Sequence, residues 1–138
     1  MAAFVFTDAH VSINGVDLSD HVKRVTVGLP LNLVDSTRMG HTANARLAGL
    51  KDGDVVVEWQ QDFAAAQTDA TLWAAYGIQV PIVVRPVKGT VIGATNPEYR
   101  MQAMLEGYTP IDGSFGELAM TSSTFRNSDG VAPTRNIA

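Results

Sequence analysis

This 138-residue chain is predicted to be mostly β. The architecture expected is two packed antiparallel sheets, a sandwich or partly closed barrel, with one short flanking helix and a long interface loop. Three observations predict it. Several segments alternate apolar and polar residues with a period of two, the mark of strands that bury one face. Asn, Gly and Pro fall between those segments, where the chain must turn. One stretch, residues 68–77, has the caps and stop of a helix. The length suits one domain, 1–138, with a single core.

Taken in order, residues 11–18 place alternating apolar positions on both sides of Asn14-Gly15, which supplies the two positive φ angles of a type I′ hairpin turn. Residues 21–28, with Val22, Val25 and Val27, read as a strand that turns Lys23 and Arg24 outward and ends before Pro30. From 31 to 49 the period fails. Asp35, Ser36, Thr37, Arg38, Met39, His41, Asn44 and Arg46 belong to a polar, small-residue run, read as a loop of about fifteen residues or more. Such a loop is either a loose surface segment or an arm that orders against another subunit, and these eight residues are its expected contacts.

Residues 54–61 return to strand character, with Val55, Val57 and Trp59 on one face. Thr68 or Asp69 is the expected helix cap and Gly77 the stop, with Leu72, Trp73 and Tyr76 as one apolar stripe docked on a sheet. Residues 79–87 form a Val- and Ile-rich strand with Pro81 and Pro86 at its margins. Residues 88–97 are turn material. The segment 98–106 alternates and points Tyr99, Met101, Ala103 and Leu105 inward, and 115–125 is the last strand. Beyond Arg126 a tail, 127–138, is expected to be free in the monomer. Trp59, Leu72, Trp73, Tyr76 and Tyr99 are read as core anchors in preference to a sugar-binding face. The count is about six to eight strands, with edges that must be protected or paired with neighbours.

Composition narrows the function. The net charge of −4 opposes tight binding of a phosphate backbone, which needs Lys and Arg to displace counterions. The charged fraction, 17%, lies below the usual value of about 25%, as in proteins that hide surface against partners. With no cysteine there is no disulfide and no thiolate site. The opening residues lack a cationic leader, and no apolar run reaches the roughly 20 residues of a membrane span, so the chain is expected to be soluble where it is made.

No catalytic, cofactor-binding or metal-binding constellation emerges, and the chain is read as a non-enzyme without cofactors. His10, His21 and His41 lack ligand spacing. Asp52 and Asp54 begin like a calcium loop that has no later ligands. Ser114 in Gly113-Ser114-Phe115-Gly116 falls short of a nucleophile elbow, and Gly89 and Gly93 build no phosphate loop. Glu58, Asp62, Glu98 and Glu106 are scattered along the chain, so spacing alone pairs none of them into an acid and base.

Four stretches carry a family resemblance: Asn14-Gly15-Val16-Asp17-Leu18-Ser19-Asp20-His21-Val22; Asp62-Phe63-Ala64 through Asp69-Ala70-Thr71-Leu72-Trp73; Asn96-Pro97-Glu98-Tyr99; and Gly113-Ser114-Phe115-Gly116-Glu117-Leu118-Ala119. Over residues 11–124 the chain resembles the tail tube (major tail) proteins of long-tailed phages of actinobacteria. The resemblance implies two packed β-sheets with a helix, six copies closed into a ring through sheet edges, and rings stacked into a tube. The 31–49 loop would match the arm that reaches the adjacent ring, with the termini, including Phe4, Phe6 and Arg135, as further contacts. It implies self-association, other tail proteins as partners, passage of DNA without specific binding, and a place in the virion tail after synthesis in the host cytoplasm. At this length the chain has no room for the added surface domain that some tail proteins carry. Another virion ring component (a tail terminator, connector or decoration protein) and a monomeric β-sandwich binding module remain the alternatives.

Overall fold

Asn14 and Gly15 take φ angles of 51° and 80°, the paired left-handed geometry of a type I′ turn, and fold β1 (His10–Ile13) back on β2 (Val16–Asp17). The computed structural model describes residues 4–5 and 7–137, so Phe6, one of the expected terminal contacts, lies outside the described residues. A 3₁₀ turn (Ser19–His21) leads into β3 (Val22–Gly28), followed by β4 (Leu31–Asp35), β5 (Arg46–Lys51), β6 (Asp54–Gln60), α1 (Thr68–Ala75), β7 (Gln79–Arg85), β8 (Glu98–Tyr108), β9 (Met120–Asn127) and β10 (Thr134–Asn136).

The main sheet is antiparallel in the order β2-β1-β7-β8-β9-β6-β3, and β10 adds to β8; β4 and β5 form a second, two-stranded sheet. The main sheet curls over itself. β6 and β7 are separated by two strands in the ladder, yet Val27 and Val55 share a narrow gap with Ile82, Val84 and Tyr99. The barrel does not close: an open groove of about 300 Å³ separates Thr7, Asp8 and Ala9 from Val22, Lys23 and Val25 of β3.

Period-two alternation builds the core. Val55, Val57 and Trp59 of β6, Val80, Ile82 and Val84 of β7, Met101, Ala103 and Leu105 of β8, and Phe125 of β9 all point inward, joined by Val11 and Ile13 of β1. Each fully buried Val, Ile, Leu, Met or Phe among them contributes about 1.5–3 kcal/mol. Polar side chains within this core are paired at two places: Trp59 donates to Ser123, and Thr121 donates to the carbonyl of Thr109.

Several expectations are corrected. The 31–49 segment is not irregular throughout, because 31–35 and 46–51 pair as β4 and β5 and only 36–45 remains a loop. Neither strand has a buried face, so nothing imposes alternation on its sequence. In α1 the inward face is Thr68, Thr71, Leu72 and Ala75, whereas Trp73 and Tyr76 are 67% and 55% exposed. The docked face is centred between Thr68, Leu72 and Ala75, at i, i+4 and i+7, with Thr71 on one side of it, and Trp73, about 100° further round than Leu72, falls beyond its other edge. The cap also differs, since Gln67 precedes the helix without a side-chain bond, Thr68 donates to the carbonyl of Gln60, and Asp69 accepts from Tyr108.

Tyr99 is half-buried, and Glu98 beside it is buried. Arg85 and Arg100 approach the Glu98 carboxylate, and this pairing offsets part of the cost of taking a charge from water. The last long strand begins at Met120 and not at 115, because Gly116, at φ +83°, and the Ser114–Glu117 backbone bond make a turn there. The tail is not free, since β10 pairs Thr134, Arg135 and Asn136 with Arg100, Tyr99 and Glu98 on the part of β8 that β9 does not cover.

Candidate assembly surface

The β4–β5 pair is an arm whose side chains lie outside the core. Leu33, Leu47 and Leu50 on its strands, and Met39 at its tip, are exposed large hydrophobic residues. All eight expected loop contacts gather at its outer end. Asp35 faces Arg46 as its register partner. The neck of the tip is tied by Thr37, whose hydroxyl donates to the Ala45 carbonyl at 3.2 Å and accepts from the Ala45 N–H at 2.8 Å. Asp35 accepts from the Thr37 N–H, and that bond holds its carboxyl below the usual range. Arg38 and His41 bond to each other through the Arg38 N–H and the imidazole, so Met39, Gly40 and the remaining tip residues are held in a turn, with Gly40 at φ +91°. Ser36 donates its N–H to Ala45, while Asn44 is exposed beside it.

The expected terminal contacts do not join this tip. Phe4 is 55% exposed at the N-terminal end, and Arg135 is built into β10 of the main sheet. Sequence reading missed a second exposed apolar area. Trp73 and Tyr76 stack with ring centroids 5.8 Å apart and planes 2° from parallel, outside α1. Phe63, Ile111, Phe115 and Leu118 are also exposed, on the turn after β6 and on the 109–119 loop. The signal for the helix lay in the i, i+4, i+7 spacing of Thr68, Leu72 and Ala75, which leaves Trp73 and Tyr76 on the other side.

Charged groups serve the scaffold. His10 titrates below its ordinary range because burial disfavours the imidazolium and Arg85 repels it, outweighing the pull of Asp17 and Glu98. For Asp17, burial pushes the carboxyl up, but hydrogen bonds from Ser19 outweigh it and leave the carboxyl lowered. His21 meets Asp62 at 3.0 Å, tying the start of β3 to the end of β6. Tyr108 is pushed up to about 12, chiefly by burial, and its hydroxyl donates to Asp69 while accepting from Gln61. Among the described residues, no three or more His, Cys, Asp or Glu side chains gather as metal ligands, and no helix is long and apolar enough to cross a membrane.

The fold recurs in known structures. A chain from the virion of a native gene transfer agent particle superposes with a TM-score of 0.75 at 13% identity, covering 97% of this chain and 99% of that one. A chain from the tail of an empty gene transfer agent particle, a structure with C6 symmetry, gives 0.67 at 11% identity over 92% of each chain. A chain from the sheath/tube terminator structure of an extracellular contractile injection system gives 0.70 at 10% identity, covering 99% and 98%. No protein-family model and no curated protein sequence matches the chain. The class defined is therefore one of fold: this chain has a tail-tube-like fold, shared with components of phage-like tails and injection systems.

Proposed function

We propose that the chain is a structural subunit of a phage tail tube, which closes into hexameric rings and stacks them into a hollow conduit. The observation that carries this reading is the conjunction of a full-length fold match to a gene transfer agent tail chain with an arm that buries none of its hydrophobic residues in the monomer. An isolated arm of this kind gains nothing by exposing Leu33, Leu47 and Leu50 to water, whereas a neighbour that covers them recovers that burial energy.

In this reading the eight tip residues, with Phe4, Phe6 and Arg135 at the termini, contact other copies, and further tail proteins begin and end the tube. The C6 symmetry of the gene transfer agent tail supports six copies per ring. The net charge of −4 suits a wall along which DNA slides without being held. The subunit works as a scaffold and not as an enzyme, resides in the virion tail after synthesis in the host cytoplasm, and is akin to the tail tube proteins of long-tailed phages of actinobacteria. A second reading, a tail terminator that forms single rings, is favoured by the likeness to the terminator structure.

Purified protein, concentrated and imaged by negative-stain electron microscopy beside size-exclusion light scattering, tests both. Tubes or stacked rings are expected. Closed rings that never stack would favour the terminator, and a persistent monomer would refute assembly and favour a binding module.

A further inference from the structure

Charge is divided unevenly along this chain. Residues 31–51, the arm and its base, carry Arg38, Arg46 and Lys51 against one carboxylate, Asp35, a net +2; the remainder of the chain therefore bears −6 of the total −4. Residues 61–84 and 101–125 hold Asp62, Asp69, Glu106, Asp112 and Glu117 and neither Lys nor Arg.

The fold brings parts of those two acidic stretches together. Gln61 donates its side-chain N–H to the carbonyl of Pro110 at 2.6 Å and its backbone N–H to Ala119 at 3.1 Å, fastening the turn after β6 to the 109–119 loop. Between them lies an open groove of about 330 Å³, with Phe63, Pro110 and Ile111 as apolar lining and Asp112 and Glu117 on the same wall. Phe63 is 63% and Ile111 84% exposed. Among the described residues, neither Asp112 nor Glu117 forms an ion pair, and neither do Arg38, Arg46 and Lys51 of the arm.

We propose that this groove, walled by Asp112 and Glu117, is the seat for the β4–β5 arm of a second copy of the chain. The inference rests on the assembly reading above and names the acceptor that reading leaves open. The two surfaces are complementary in both respects that matter. An apolar, cationic arm meets an apolar, anionic groove, so desolvation of the leucines and attraction of the charges act together. In one chain neither surface covers the other, since both remain exposed. The trans arrangement therefore satisfies groups that the cis arrangement leaves in water, and added salt should weaken it by screening.

The absence of cysteine allows a direct test. Met39→Cys and Ile111→Cys chains are prepared separately, mixed, assembled and oxidised, with Val91→Cys replacing Ile111→Cys as an exposed control. A disulfide-linked heterodimer well above the control is expected. In parallel, Arg38→Glu with Arg46→Glu, and Asp112→Lys with Glu117→Lys, should each raise the concentration needed for assembly by about tenfold or more, and the four changes combined should restore it. Tubes that form normally with the groove variant, or assemblies giving no heterodimer above control, overturn the seat and leave the tube reading intact. An unsubstituted chain that never leaves the monomer overturns the tube reading and the seat with it. Heterodimer within rings that do not stack supports the seat and transfers the chain to the terminator class.

Discussion

The indole Nε1 of Trp59 donates a 2.7 Å hydrogen bond to the hydroxyl of Ser123, between two side chains that are essentially inaccessible to solvent. In the β6–β9 register Trp59 faces Thr121 and Ser123 faces Val57, so the bond runs diagonally across one face of the sheet. It lets the largest core side chain bury its one polar atom without penalty. Removing the acceptor by Ser123→Ala leaves a donor stranded, which costs about 1–3 kcal/mol. Urea unfolding of the variant is expected to show that loss, and a change below about 0.5 kcal/mol would mean that the indole finds another acceptor.

The two faces of α1 should respond oppositely to truncation. Leu72 is fully buried, so Leu72→Ala should cost about 2–5 kcal/mol. Trp73 and Tyr76 touch each other outside the fold, and Trp73→Ala should cost no more than about 1.5 kcal/mol, the upper value for an aromatic pair. Thermal or urea denaturation of both variants checks the order. Equal losses would contradict the exposure of Trp73.

Gly49 lies where β4 and β5 shift register, and a Cβ added there would stand 2.8 Å from the backbone oxygen of Asn32. That oxygen cannot move aside as a side chain could, so Gly49→Val should disturb the arm. Because the arm contributes no residue to the core, global stability should change by less than about 0.5 kcal/mol. Tryptic cleavage at Arg38 and Arg46 should quicken. A variant cut at the unchanged rate would show that the arm absorbs the clash.

His10 sets a pH dependence with a defined sign. Its folded-state pKa is lowered, by burial first and Arg85 next, so the unfolded chain binds a proton more readily. Stability from this group is present above the unfolded value near 6.5 and is lost as pH falls below it. The groups acting on it are Arg85 on β7, Asp17 on β2, Lys88 after β7 and Glu98 on β8, and the two carboxylates partly oppose the shift. The lowered carboxyls of Asp17, Asp35 and Asp62 act in the same direction but at lower pH, below about 4. His10→Asn should therefore flatten the fall in unfolding midpoint between about pH 7 and pH 5. An unchanged slope over that range would assign the effect elsewhere.

What the sequence by itself determined follows from interactions that are local or have period two. Asn14-Gly15 dictated its turn because few dipeptides tolerate two positive φ angles, and β6 was legible because Val55, Val57 and Trp59 share one buried face. The helix was placed by its Gly77 stop, at φ +84°. The orientation of that helix was decided by tertiary structure, since only docking chooses between the neighbouring apolar positions Leu72 and Trp73.

The same holds for the arm, whose eight tip residues were named from their loss of pattern while β4 and β5 themselves went unread. A strand pair exposed on both faces carries no alternation, and its pairing is a matter of backbone bonds that side chains do not announce. The free tail became β10 for a related reason: the uncovered edge of β8 offers unpaired backbone groups, and no residue type in 134–136 encodes which edge is open. The acidic groove joins residues about fifty positions apart through Gln61, so its charges were present in the sequence but their neighbourhood came from the pairing of β6 with β9.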